Sequence, residues 1–150
     1  QDIQESYAEI CQPIIAALKR QGADAKFSPI NDIEVGGRKI SGNAQTRRSG
    51  AVLQHGTILV GLDHSLLQSL RVKPSKLEGK GATNVSQRVT TLEEVLGRGV
   101  DMASLGKEIA NAFGAHFNAT IESAKVSAEE EGSIPALIQK YSSKDWLWRR

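Results

Sequence analysis

The sequence has one cysteine, Cys11, few aromatic residues (5%) and little net charge. A single cysteine cannot form an intrachain disulfide, so we expect a reducing, cytoplasmic setting, or a mitochondrial one if the source is eukaryotic. The 19 basic and 17 acidic residues leave a net charge of +2, which is too small to predict a nucleic-acid partner. Apolar residues never run for the roughly 18 positions of a membrane span, so no membrane partner is expected.

The remaining composition is typical of a folded domain. Hydrophobic residues make up 39% and charged residues 24% of the 150 positions, and a chain of this size can bury about 70% of its unfolded surface. The first residue is Gln1 and not methionine. This predicts a fragment or processed piece of a longer protein.

Apolar residues recur with helical spacing in several segments and alternate in others, which predicts an α+β fold. A first helix should end at Gly22, with Pro13 either kinking it or marking its true start. Residues 64–70 predict a short helix, residues 71–84 a surface loop, and residues 119–126 a strand. Capping residues precede three later helices at Thr91, Asp101 and Ser127.

The stretch from Asn31 to Asp63 predicts a three-stranded antiparallel meander. Gly36-Gly37 and Ser49-Gly50 supply its two turns, and a short strand over residues 25–27 precedes it. In the strand after Gly37, the two-residue period predicts one apolar and one polar face. The apolar face contains Ile40, Gly42 and Ala44, and the polar face contains Lys39, Ser41, Asn43 and Gln45.

Three ordered motifs in this stretch resemble the signature of the lipoate-protein ligases, in the biotin/lipoate ligase superfamily. They are NDI at residues 31–33, RKISGNA at 38–44 and HGTIL at 55–59, similar to the family patterns N-D-[IL], [KR]-[IV]-S-G-[SN]-A and H-G-T-[IL]-L. The similarity continues through residues 80–96 and ends at KYSSKDW, residues 140–146. It implies a biotin/lipoate protein ligase-like fold, with an antiparallel or mixed sheet and flanking helices, and covers the C-terminal two-thirds of the catalytic domain.

The resemblance also implies a reaction. Members of this family use ATP and Mg²⁺ to convert lipoate into lipoyl-adenylate and then join it to a specific lysine of an acceptor. The implied acceptors are lipoyl domains of 2-oxoacid dehydrogenase complexes or the glycine cleavage H protein. By the motif match, Lys39 is the catalytic residue and Asp32 the magnesium ligand. The implied nucleotide and acyl-adenylate contacts are Asn31, Asp32, Lys39, Ser41, Gly42, Asn43, His55, Gly56 and Thr57.

A lysine suits this chemistry because a carboxylate and an α-phosphate, both anionic, must be brought together. Its ammonium is a compact charge with three donors that can serve oxygens of both partners. An attraction of about 4 kcal/mol per charge pair, at 4 Å and an effective dielectric near 20, offsets much of the repulsion. Composition alone would make Lys39 a solvated hairpin lysine, Asn31 and Asp32 a turn start, and His55 a packed strand residue.

The position of the cysteine separates two reaction classes within the superfamily. The cysteine-dependent octanoyltransferases carry their nucleophile shortly before the hairpin with the lysine, whereas KFSPINDI, residues 26–33, contains no cysteine. Cys11 falls on the apolar face of the first helix, so a thioester route is not expected. Two alternatives remain: an octanoyl or lipoyl transferase that uses a preformed activated acyl group, and a non-catalytic lipoyl-domain-binding subunit.

One family motif has no counterpart in the chain. The upstream segment R-R-x-[ST]-G-G-G-A-V-x-H, which holds the acyl chain and part of the nucleotide in the ligases, matches nothing here. The glycine-rich stretch EGKGAT lacks the spacing of a phosphate-binding loop. We therefore expect the missing half in cis or as a separate chain, and poor or no activity from this piece alone.

Overall fold

The computed structural model describes residues 2–68 and 85–149, in two compact units, Gln1–Thr120 and Ile121–Arg150. The first unit contains α1 (Ile3–Gln21), β1 (Ala25–Ser28), β2 (Asp32–Val35), β3 (Arg38–Arg48), β4 (Ala51–Ile58), α2 (His64–Gln68), α3 (Val85–Arg88), α4 (Leu92–Leu96) and α5 (Met102–Phe117). The second contains α6 (Ala128–Ser142) and α7 (Lys144–Leu147). The surface loop predicted over residues 71–84 lies outside the described residues.

Helix α1 forms as its sequence predicts and ends at Gly22, whose φ of 106° allows the left-handed cap. Pro13 lies inside the helix, so the alternative in which it marks the helix start is wrong. The buried face of α1 carries Cys11, Ile15 and Leu18. Their spacing is that of one helical stripe against a core.

The later helix caps also follow the sequence. Thr91 Oγ1 accepts a hydrogen bond from the Glu94 amide at the start of α4, and Asp101 Oδ2 accepts one from the Ser104 amide at the start of α5. Each side chain satisfies a backbone donor that the first helical turn leaves unpaired. The short helix predicted over residues 64–70 is present as α2 over His64–Gln68, and its last two positions lie outside the described residues.

The sheet has four antiparallel strands in the order β1-β2-β3-β4, which confirms the predicted α+β class. The predicted meander corresponds to β2, β3 and β4, and the short strand predicted before it pairs with β2 as β1. Both predicted hairpin turns are present. Gly36 and Gly37 have φ of 57° and 74°, the positive values that a two-residue hairpin turn requires.

A β-bulge in β3 changes the faces that simple alternation predicts. Ile33 pairs with Ser41 but Glu34 pairs with Lys39, so Ile40 has no partner in β2. An extra residue of this kind reverses the alternation from that point onward. The predicted division into apolar and polar faces is therefore wrong.

The observed faces follow from the register. Residues directly opposite each other point to the same side of a sheet. Lys39 shares the outer face with Gly42 and Ala44, whereas Ser41 and Asn43 are buried on the helix side.

The core of the first unit lies between the helix side of the sheet and the helices α1, α4 and α5. Leu18, Ile33, Ile40 and Leu92 are its largest fully buried apolar side chains. Burying such side chains contributes about 1.5–3 kcal/mol each. This packing fixes the backbone of β2 and β3, whose residues carry the motifs.

In the second unit, α6 begins with the predicted capping box: the Glu130 amide donates to Ser127 Oγ, and the Ser127 amide donates to Glu130 Oε2. The strand predicted over residues 119–126 is wrong, because the segment has no regular secondary structure and all its residues are exposed. An alternating pattern becomes a strand only where a neighbouring strand accepts its backbone hydrogen bonds.

Among the described helices, none is long and apolar enough to cross a membrane.

Candidate active site

Lys39 lies at the start of β3 with its backbone fixed on both sides. It pairs with Glu34 of β2, and its carbonyl oxygen accepts a 2.9 Å hydrogen bond from the amide of buried Thr90. No sequence motif predicts this contact, because Thr90 lies about fifty positions after Lys39 in the chain. Because the backbone is held, only the lysine side chain is free to respond to a ligand.

The ammonium of Lys39 lies against the Asp32 carboxylate. Nζ is 2.6 Å from Oδ1, and the side chains are 34% and 14% exposed. The approach does not have the angles of a hydrogen bond, and Oδ1 accepts none from any described residue. The contact is an ionic one between a partly exposed cation and a largely buried anion.

Asn31 is tied to β3 by three hydrogen bonds to one residue. Its carbonyl oxygen accepts from the Asn43 amide and from Asn43 Nδ2, each at 3.0 Å, and its own Nδ2 donates to the Asn43 carbonyl oxygen. Asn43 is 5% exposed and also donates to Ser41 Oγ at 3.3 Å. These bonds fix the corner that leads into Asp32.

The HGT motif forms the neighbouring part of β4. His55 and Thr57 lie on the outer face opposite Ala44 and Gly42, and both are exposed. Gly56 lies opposite Asn43, and a Cβ at Gly56 would overlap the Asn43 amide and come within 3.0 Å of the Gly42 carbonyl oxygen. Gly56 therefore provides the space that the Asn43 side chain occupies.

A surface pocket of about 340 Å³ brings most of the predicted site residues together. It is lined by Asn31, Lys39, Gly42, Asn43, Ala44, His55, Gly56 and Thr57. Of these, sequence reasoning missed Ala44, which it placed on the apolar face of the strand. The bulge that exposes Ala44 depends on pairing with β2, so strand periodicity carries no signal for it.

Two predicted residues do not line this pocket. Asp32 is joined to it by its contact with Lys39, and Ser41 lines a neighbouring cavity of about 120 Å³ that shares Asn43, His55 and Gly56 with the pocket. The lining of that cavity includes Ile10 and Ile14 of α1 and Ile109 and Phe113 of α5.

The only cysteine in the sequence lies away from the pocket. Cys11 is fully buried in α1, and Gln54 Nε2 donates to its Sγ at 3.7 Å. Burial raises the pKa of the Cys11 thiol, and the hydrogen bond from Gln54 opposes this rise only in part. A buried thiol with a raised pKa is a poor nucleophile.

The pocket fits an anion better than it fits a metal alone. Lys39, the Asn31 amide and the exposed groups of His55 and Thr57 can serve phosphate or carboxylate oxygens. For magnesium, Asp32 supplies one carboxylate whose Oδ1 lacks a hydrogen bond. The described residues contain no group of three His, Cys, Asp or Glu side chains suited to a metal, and protein-bound Mg²⁺ often takes its other ligands from substrate phosphates and water.

A family model described as the lipoyl protein ligase A/B catalytic domain matches residues 1–114. Among curated proteins, the chain is 33% identical to lipoate-protein ligase LplJ of Bacillus subtilis, over 94% of the chain and 39% of that protein. It is 31% identical to the octanoyltransferase LipM of an Exiguobacterium species, over 79% of the chain and 43% of that protein. The chain thus spans about two fifths of these relatives.

Solved structures give the same fold. A bipartite lipoate protein ligase from Thermoplasma acidophilum, solved in a study of that ligase and its E2 lipoyl domain, superposes with a TM-score of 0.82 at 25% identity. All of this chain and 61% of that one are covered. A lipoate-protein ligase A bound with ATP matches with a TM-score of 0.78 at 24% identity, over 97% of this chain and 59% of that one. The chain therefore belongs to the lipoyl protein ligase A/B catalytic domain family.

Proposed function

We propose that this chain carries the nucleotide- and carboxylate-binding part of an ATP-dependent lipoate-protein ligase. The enzyme would activate lipoate as lipoyl-adenylate and transfer the lipoyl group to a specific lysine of an acceptor domain. The observation that carries the proposal is the Lys39 ammonium at the wall of an open pocket, beside Asn31, His55 and Thr57. A cation in this place suits a reaction between two anions.

The proposed role of Lys39 is to hold a carboxylate and an α-phosphate at one ammonium. The carboxylate oxygen attacks the α-phosphorus, the phosphoanhydride bond breaks, and pyrophosphate leaves. Negative charge that develops on the phosphoryl oxygens is stabilised by the ammonium. The acceptor lysine then attacks the acyl carbon, and AMP leaves as an amide forms.

Two observations support ATP as the nucleotide: the chemistry available to Lys39, and the structural similarity to a lipoate-protein ligase A that was solved with ATP bound. Magnesium would supply charge neutralisation at the phosphates, with Asp32 as its protein ligand. For Asp32 to bind the metal, Lys39 would have to leave the carboxylate. This part of the proposal rests on the chemistry of the donor set.

The acceptors proposed are lipoyl domains of 2-oxoacid dehydrogenase complexes or the glycine cleavage H protein. The support is the archaeal relative, which was solved in a study of the ligase and its E2 lipoyl domain. We also propose a cytoplasmic setting, on the ground of the single buried cysteine.

A second candidate is an octanoyl or lipoyl transferase that takes a preformed activated acyl group. The similarity to LipM supports it, because its 31% identity is close to the 33% identity to LplJ. The buried Cys11 argues against a thioester carried on this chain. In the transferase reading, Lys39 would stabilise the oxyanion of the attacked acyl group.

The test needs the companion segment, by which we mean the missing half of the ligase, supplied in cis or as a separate chain. The chain and its companion segment are mixed with ATP, Mg²⁺, lipoate and an apo lipoyl domain, and the mass of the acceptor is followed. We expect Lys39→Ala to slow lipoyl transfer by about 100-fold or more, the usual cost of removing one electrostatic stabiliser. Lys26→Ala is the matched control, because Lys26 is an exposed lysine of β1 that forms an ion pair with Asp24. It should leave the rate unchanged.

Other outcomes would overturn the proposal. A Lys39→Ala protein that modifies the acceptor at the parent rate would remove Lys39 from the mechanism. Transfer from an octanoyl thioester without ATP would establish the transferase. Tight binding of the lipoyl domain without any mass gain would establish a docking subunit.

A further inference from the structure

Lys39 and Gly42 are on the same face of β3 only because of the bulge at Ile40. In a regular strand, residues three apart point to opposite faces. Here Asp32 pairs with Gly42 and Glu34 pairs with Lys39. Asp32 and Glu34 are alternate residues of β2 and therefore share one face of the sheet, so their partners Gly42 and Lys39 share that face as well. The lysine side chain can therefore run along the strand toward Gly42.

Gly42 leaves the space that the end of this side chain occupies. A Cβ built at Gly42 would lie 2.6 Å from Lys39 Nζ and 2.7 Å from Cε. Both distances are shorter than real contacts of a Cβ, and both atoms belong to a flexible side chain. An added methyl group would thus displace the ammonium and leave the strand in place.

Asp32 completes the position of the ammonium. It stands directly across from Gly42 in the register, and its Oδ1 lies 3.5 Å from the same built Cβ and 2.6 Å from Nζ. The carboxylate thus attracts the ammonium to a place that only a glycine leaves open. Without either residue, a lysine this exposed would sample several rotamers in solvent.

We propose that Gly42 and Asp32 are positioning residues that hold the Lys39 ammonium at the pocket wall until an anionic ligand takes the place of the Asp32 carboxylate. The catalytic meaning of this arrangement rests on the proposed function. The contacts that hold the Lys39 ammonium do not depend on that function. Because the ammonium of this ion pair is 34% exposed, an anionic ligand in the pocket can reach it and take the place of the carboxylate.

The test measures how fast an amine-reactive acetylating reagent modifies Lys39, by mass spectrometry, with Lys26 of the same sample as the internal reference. Gly42→Ala should raise the Lys39 rate about threefold to fivefold, as expected for the loss of a partly exposed ion pair. Asp32→Asn should raise it by a similar factor. The control is Gly106→Ala in α5, where an added Cβ meets nothing within 4 Å.

The double variant adds a second measurement. If Gly42 and Asp32 act on one contact, the Lys39 rate in Gly42→Ala/Asp32→Asn should equal that of either single variant. A parent-like Lys39 rate in a folded Gly42→Ala protein would overturn the proposal. If Gly42→Ala does not fold, a parent-like rate in Asp32→Asn would overturn it equally.

Turnover gives a separate readout. With the companion segment present, Gly42→Ala should lower kcat more than it raises KM for ATP, because the ammonium is still present but misplaced for the transition state. Labelling does not depend on activity. Failure of the proposed function and failure of the positioning role are therefore distinguishable, since Lys39 can be held by Asp32 in a protein that does not use ATP.

Discussion

Asn43 bonds to three groups of its own chain: the Asn31 carbonyl oxygen, the Ser41 hydroxyl and, through its own carbonyl oxygen, the Asn31 side chain. Its motif position predicts a ligand contact. Only 5% of Asn43 is exposed, and its side-chain amide makes hydrogen bonds within the chain. Its effect on the pocket is to fix the position of the Asn31–Asp32 corner.

At the residue scale, this role makes Gly56 a sensitive position. Gly56→Ala would push a methyl group into the Asn43 amide and toward the Gly42 carbonyl oxygen, which cannot move without breaking the β3–β4 pairing. We expect a loss of about 1–3 kcal/mol in the free energy of unfolding, the usual cost of overpacking. Urea unfolding followed by circular dichroism measures it.

Gly106→Ala is again the control for this substitution. It lies inside α5 and its added Cβ meets nothing within 4 Å, so it should be neutral or stabilise the protein by about 0.5–1 kcal/mol. Equal urea midpoints for the two variants would show that Asn43 does not need the space beside Gly56.

At the element scale, the features that local rules govern were predictable from the sequence. The left-handed cap at Gly22, the Gly36-Gly37 turn and the capping box at Ser127 each depend on a few neighbouring residues. Seven of the nine residues that the motif match implied as ligand contacts line one pocket, together with Ala44. That they contact a nucleotide or an acyl-adenylate stays a prediction.

The features that sequence reasoning missed depend on partners distant in the chain. The bulge at Ile40 comes from the pairing of β3 with β2, and alternation within β3 cannot predict it. The support of Lys39 by Thr90 joins residues about fifty positions apart. Residues 119–126 alternate correctly for a strand, yet they form none, because strand formation requires a pairing partner.

The capping box of α6 predicts a pH dependence. Hydrogen bonds from the Ser127 backbone and side chain lower the pKa of the Glu130 carboxyl from its ordinary value. A carboxylate with a lower pKa in the folded state stabilises the helix start above the pKa of the unfolded chain. That contribution is lost as the pH falls through the folded pKa.

A carbon-detected NMR titration of Glu130 checks this expectation. Its midpoint should lie below that of the same residue in the unfolded chain, and Ser127→Ala should raise it, since one of the two lowering hydrogen bonds is removed. Glu130→Gln should abolish the acid-dependent fraying at residues 128–131. A Glu130 midpoint at the ordinary value would contradict the bond seen between Ser127 N and Glu130 Oε2 at 2.7 Å.

At the scale of the whole molecule, the residues around Lys39 form one open side of a binding site. The pocket of about 340 Å³ is near the lower end of the range for small-molecule sites, which enclose most of their ligand. In the described part of the chain, β4 is an edge strand of the sheet, with Val52 and Leu53 exposed. An uncovered edge with apolar side chains is a surface to which another strand or chain can be added.

We therefore predict that the chain needs a companion segment, in cis or as a separate subunit, for lipoyl transfer. Alone, it should modify an apo lipoyl domain at less than about one hundredth of the combined rate, because an open wall cannot hold two anions and the acceptor lysine in reacting positions. Titrating the companion segment should raise the rate to a plateau. Hydrogen exchange at β4 should slow over the same concentrations, as its free edge becomes paired.

The Lys39→Ala chain is the control for this experiment. It should show the same slowing of hydrogen exchange without any gain in the rate of lipoyl transfer, which separates assembly from chemistry. Full activity of the isolated chain would show instead that its described surface and remaining residues form a complete site.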